Sequence, residues 1–86
     1  MEYNNSSYNC VLDVYNHINK NPEWVDFIRD FNDDNGFLFS KDERITDIYN
    51  VVTAETDIHS GSSFALSLRG CQSIFKGLRT LDDFKV

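Results

Sequence analysis

The residues in this chain that could do chemistry are few. They are His17 and His59, Cys10 and Cys71, the serines Ser60, Ser62 and Ser63, and a carboxylate-rich stretch ending in Asn32-Asp33-Asp34-Asn35-Gly36. Neither histidine has a Cys or another His at ligand spacing; the nearest carboxylates are Asp13, four residues before His17, and Asp57, two before His59. A zinc site takes three or four converging ligands, so no metal is expected. A calcium loop needs D-x-[DN]-x-[DN]-G with a glutamate in the twelfth place. Counting from Asp30 puts Asn32 and Asp34 in register, but Asn35 stands where glycine belongs and Lys41 where glutamate belongs. Counting from Phe31 places Gly36 correctly and loses the first carboxylate. The stretch reads as a solvated turn that ends a helix. His59 beside three serines resembles fragments of a nucleophilic triad, yet sequence neighbours rarely meet productively and no G-x-S-x-G elbow is present. No cofactor motif appears, and no enzymatic activity is expected.

The turn at His59-Ser60-Gly61-Ser62-Ser63 has an alternative use. A helix opening there presents backbone N–H groups and a positive dipole end to an anion. Arg69 lies seven residues beyond Ser62 and shares its helix face. Together His59, Ser62, Ser63 and Arg69 could hold a carboxylate or a nucleotide phosphate; plain capping of a core helix is the competing reading.

Charge is distributed unevenly. Fourteen acids against eight Lys and Arg give a net charge of −6, which disfavours direct binding to a phosphate backbone. Residues 21–57 hold ten acids and three bases, whereas residues 58–80 hold Arg69, Lys76 and Arg79 and no acid. Glu23, Asp26, Asp30 and Asp33, with Asp34 beside them, form an acidic stripe on the outer side of a helix. Such a face either is neutralised by the cations of the last third, or is merely solvated, or belongs to a two-signed surface that recognises a basic partner or another copy of the chain.

The elements that must position these residues follow from capping and periodicity. With 41% hydrophobic residues and 14% aromatic, the chain is too apolar for disorder and is expected to form one helical domain over residues 1–86, frayed at 1–5 and 82–86. Ser6 or Ser7 can cap a first helix over about 7–19, with Tyr8, Val11, Tyr15 and Ile18 inward. Asn21, Pro22 and Glu23 open a second helix over about 22–33, whose buried face is Trp24, Phe27, Ile28 and Phe31. Phe37-Leu38-Phe39 is a connector tucked into the core. Ser40-Lys41-Asp42-Glu43 reads as a capping box opening a third helix over 41–55, with Ile45, Ile48, Tyr49 and Val52 inward. The fourth helix is expected over 61–79. Phe64, Leu68, Cys71, Phe75 and Leu78 share one stripe by their 4-3-4-3 spacing, and Leu66, Gly70, Ser73 and Gly77 form a second, small-residue face. After Gly77 the helix continues or restarts, and Leu81 and Phe84 give the following segment something to dock with. The two cysteines read as small buried hydrophobes without a disulfide.

The expectation is an all-α, four-helix array. No stretch is long and apolar enough to span a membrane, and the first residues lack the blocks of a secretory leader, which points to the cytoplasm. The leading functional reading is a binder of another protein with a basic surface, a regulator or inhibitor acting by occlusion through Glu23, Asp26, Asp30, Asp33 and Asp34. Imitation of nucleic acid is a narrower form of it. The anionic-ligand site is the alternative. A structural homodimer through Leu66, Gly70, Ser73 and Gly77 is the third.

Overall fold

A helix in a small domain needs both a satisfied start and an apolar face to bury, and each helix here obtains them differently. The computed structural model describes residues 6–32 and 36–85. The protein is all-α. Helices α1 (Ser6–Asn19), α2 (Pro22–Asp30), α3 (Glu43–Glu55) and α4 (Gly61–Phe75) are joined by short connections. One 3₁₀ turn, Phe37–Phe39, lies between α2 and α3, and a second, Leu81–Phe84, follows α4. Among the described residues there is no strand. Because α1 already begins at Ser6, its capping position lies outside the described residues, as do the expected fraying of residues 1–5 and the place of Asp33 and Asp34.

At the start of α2 the Asn21 side chain accepts the Glu23 N–H at 3.1 Å, with Pro22 in the first turn. The end of α2 comes earlier than the expected residue 33. Phe31 is already extended, at φ −65° and ψ 131°. The cause is tertiary: the Gln72 side-chain amide, from α4, donates to the carbonyls of Ile28 and Phe31 at 2.9 and 2.7 Å. Those acceptors would otherwise be the orphans of a helix end. Gly36 does adopt a positive φ of 83°, but at the entry to the Phe37–Phe39 turn, not as the terminator of α2.

The connector enters the core as expected. Phe37 is fully buried and stacks on Phe31 with centroids 5.2 Å apart, while Phe39 is exposed. For α3 the cap is Asp42 instead of Ser40. Its carboxylate accepts the Arg44 N–H at 2.9 Å and the Arg44 guanidinium at 2.9 and 3.1 Å. A carboxylate satisfies an orphan N–H and a cation together, which a serine hydroxyl cannot. Ser40 serves the preceding turn, accepting the Asp42 N–H at 3.1 Å.

Helix α4 stops at Phe75, four residues short of the expected 79. Gly77 takes φ 76°, the Leu78 N–H donates to Ser73 O at 2.9 Å, and the Gly77 N–H donates to Ile74 O at 3.0 Å. These are the paired bonds of a Schellman motif with glycine in the left-handed place. Leu78 is therefore thrown outward, 73% exposed, and leaves the apolar stripe. The chain restarts at Thr80, whose N–H donates to Asp83 Oδ2 at 2.7 Å, half of a capping box. Through Lys85 the expected fraying is replaced by the Leu81–Phe84 turn docked on α1.

Packing centres on α4, which meets α1 most extensively and α2 next. Phe64, Leu68 and Cys71 are buried on one face of it, and Ala65, Ser67 and Gly70 are buried as well. Facing them are Val11, Val14 and Ile18 of α1, Ile28 of α2, and Ile45, Ile48 and Val52 of α3. The Ser67 hydroxyl donates back to Ser63 O at 2.7 Å, so it enters the core satisfied. His17 ties α1 to α3, its Nε2 lying 2.6 Å from Glu55 Oε2 while Nδ1 lies 2.6 Å from Asp13 O.

Gln72→Leu retains volume and removes both donors to the end of α2. It is expected to lower unfolding free energy by about 2 kcal/mol, with faster amide exchange at residues 28–32 than at α3. Urea denaturation with unchanged amide exchange in that segment would show that the amide is not what ends α2.

Candidate functional site

Two concavities carry most of the residues singled out by sequence, and they share no lining residue. The first lies along α2 and α3. Because α2 turns only Ile28 fully inward, its three aromatic residues Trp24, Phe27 and Phe31 are half-buried instead of forming the expected closed face. They line a wide, shallow depression together with Glu23, Asp26, Asp30 and Asp47. Arg44 is the cation there, its guanidinium 3.9 Å from the Phe27 ring centroid.

Electrostatics in this depression are mostly local. Arg29 pairs with Asp26 at 3.3 Å and with Asp30 at 3.1 Å. The Arg29 hydrogen bond holds the Asp30 carboxyl below the usual carboxylate range, and the charge of Lys76 adds a smaller pull. Arg44 does the same to Asp42. Hence Asp30 and Asp42, each bonded to a guanidinium, favour their ionised forms. Of the expected acidic face, Glu23, Asp26 and Asp30 are exposed, and Asp33 and Asp34 lie outside the described residues. Asp47 is the member that sequence reading missed. It projects from α3, so no α2 periodicity could reveal it.

The second concavity, about 400 Å³, runs between α1, α4 and the Leu81–Phe84 turn. It is lined by Ser63, Leu66, Arg69, Gly70 and Ser73 of α4, by Cys10 and Val11 of α1, and by Arg79 and Phe84. The proposed anion site is thus divided. Ser63 and Arg69 share this groove; Ser62 and His59 are exposed and do not line it. The Ser63 N–H is directed at Ser60 Oγ, 3.4 Å away, and the His59 carbonyl accepts from Tyr49 Oη at 3.4 Å. The start of α4 is a cap.

The small-residue face is redistributed in the same way. Leu66, Gly70 and Ser73 line the groove, but Gly77 stands beyond the helix in the Schellman turn. Gly70 is buried: a Cβ there would lie 3.0 Å from Phe84 Cζ and 3.1 Å from Val11 Cγ2. The close approach that a helical glycine permits is made by this chain's own Phe84, so the Gly70 face is not open to a second helix. The sequence signal was present, since Gly77 followed by Thr80-Leu81-Asp82-Asp83-Phe84 is a stop and a capped restart.

Both cysteines are free. Cys71 is buried, its Sγ donating to Val11 O across 3.6 Å, and burial pushes its thiol up to about 12. Cys10 is half-buried and raised by burial first and by the charge of Asp13 second. Among the described residues, no three of His, Cys, Asp and Glu converge at metal-holding distance, and no helix is long and apolar enough to cross a membrane.

Gly70→Ala brings opposing effects, a helix-propensity gain of about 1 kcal/mol against an overpacking cost of about 1–3 kcal/mol. In the wild-type background it is expected to destabilise; after Phe84→Ala the cost should shrink markedly. A double-mutant cycle that shows strict additivity would mean that Phe84 does not rest on Gly70. Cys71 predicts an alkaline limb. Its folded value lies above the ordinary value of 9.0, so between about pH 9 and pH 12 the unfolded chain loses its proton while the folded chain keeps it, and stability falls as pH rises. Cys71→Ala should flatten that part of the wild-type profile; superimposable alkaline profiles would contradict the assignment. Comparison of the chain with protein-family models, with curated proteins and with solved structures finds no match.

Proposed function

We propose that the protein is a binding module that occupies a basic, partly apolar surface of another protein and occludes it, using the α2–α3 face. The carrying observation is the pairing of chemistry on that face: Trp24, Phe27 and Phe31 remain half-uncovered inside a rim of Glu23, Asp26, Asp30 and Asp47. Solvated acidic stripes are common and usually do little. Aromatic side chains left among them are different, because large amphipathic rings supply contact area at low entropic cost and are enriched at interaction sites. The carboxylates would steer a cationic partner and set its orientation, and the rings would hold it. The shallow, open shape suits an amphipathic helix with Lys or Arg flanking its apolar stripe. Phosphate backbones are disfavoured partners by the same rim.

Trp24 is the single tryptophan, so its emission reports on this face alone. Titration with a synthetic Lys/Leu amphipathic helix is expected to shift Trp24 emission to the blue, with an affinity that weakens as salt rises. A Glu/Leu helix of the same pattern should not bind. Asp26→Lys combined with Asp30→Lys should weaken binding at least about tenfold while the helical circular dichroism is retained. Emission indifferent to the basic helix, or a charge-reversed variant that binds as well as wild type, would refute the reading.

A further inference from the structure

Resting on the reading of the α2–α3 face as one that takes a cationic partner, we propose that Arg44 is a built-in competitor there. It lays the chain's own guanidinium on Phe27, where an arginine of the partner would otherwise dock, and so holds the affinity of the face down. The Arg44 guanidinium carbon lies 3.9 Å from the Phe27 ring centroid. Asp42 grips the same group from the side, accepting from Nε at 3.1 Å and from a terminal N–H at 2.9 Å. A planar cation set on an aromatic ring and held at two points by a carboxylate is the geometry by which a protein surface recognises arginine. Here the chain supplies the ring, the carboxylate and the arginine itself.

The pair with Asp42 serves the cap of α3, and a guanidinium standing in open solvent could serve it equally. Lying on Phe27, it also closes part of the face. Phe27 meets Phe31 at an interplanar angle of 67°, and among the described residues no ring stacks flat on it, so the flat cover is Arg44. The side chain of Arg44 is 58% exposed, which lets an incoming group displace it without opening the core. Its charge also opposes the rim. Among the described residues lining the depression, Arg44 alone is cationic. Arg29 already answers Asp26 and Asp30, whereas Glu23 and Asp47 make no ion pair among the described residues. A neutral side chain in place of Arg44 removes one positive charge, releases the Asp42 carboxylate and bares the ring. All three changes favour a partner's arginine.

Trp24, the single tryptophan, reads the test by its emission, with Lys/Leu and Arg/Leu helices of one pattern as probes. Arg44→Gln is expected to bind the Lys/Leu helix at least about fivefold more tightly than wild type. Its gain for the Arg/Leu helix should be larger still, because the vacated place has a ring and a carboxylate suited to a guanidinium. The Asp42 carboxylate still has the backbone N–H of residue 44 to accept, now at 2.9 Å, so α3 keeps its cap and helical circular dichroism should match wild type. Lys41→Gln is the control. It removes the same charge from an exposed position that does not line the depression, and should change either affinity by less than about twofold. A gain shared by Lys41→Gln, a gain no larger for the Arg/Leu helix, or no gain in Arg44→Gln while wild type binds overturns the role of Arg44 and leaves the reading of the face standing. Emission indifferent to both helices in wild type and in Arg44→Gln removes that reading as well.

Discussion

Enclosure of α4 is the constraint to which the rest of the molecule answers. Its sequence provides apolar or small residues on more than one face, so a single neighbouring helix cannot cover it. Phe64, Leu68 and Cys71 are buried on one side, and Ser67 and Gly70 are buried too. An 86-residue chain has little material with which to surround a helix. The solution uses α1 and α2 for the main contacts and sends the residues after Gly77 back over what remains. Gln72 contributes from α4 itself by taking up the carbonyls at the end of α2, so the central helix both is covered and dictates where its cover stops.

Both candidate surfaces are by-products of that arrangement. Truncating α2 at Asp30 leaves only Ile28 fully inward, and the aromatic residues around it stay partly in solvent beside the carboxylates. Reversing the chain at Gly77 brings Arg79 onto the flank of α4, where Arg69 already lies. Neither surface needed special secondary structure. Each arises where a helix ends sooner than its periodicity alone would end it.

Much of the architecture was legible because it depends on local signals. Asn21-Pro22-Glu23 announces α2, the spacing of Ile45, Ile48 and Val52 announces the inner face of α3, and Phe37 is apolar enough to be drawn inward. What stayed hidden was decided by competition between neighbours or between distant parts. Ser40 and Asp42 both offer a cap, and the carboxylate prevails because Arg44 adds a second bond to it. Trp24, Phe27 and Phe31 obey a helical period that cannot reveal how wide a face the other helices will cover. By spacing alone Gly77 fits a contact glycine within a longer helix; the positive φ it adopts is a property of the Schellman turn, to which the nearby Thr80 and Asp83 point. The acidic stripe on α2 was readable one helix at a time, whereas Asp47 joins it only in three dimensions. The groove combines α1, α4 and the final turn, and no single-element pattern contains it.

The return of Phe84 to the neighbourhood of Val11 is also a contact between segments far apart in sequence. That contact closes a loop spanning nearly the whole chain, and the entropy of closing it must be met before the contact gives anything back. Docking of the Leu81–Phe84 turn on α1 therefore leans on the intervening helices, which hold the two distant segments close enough for the contact to be worth its entropy.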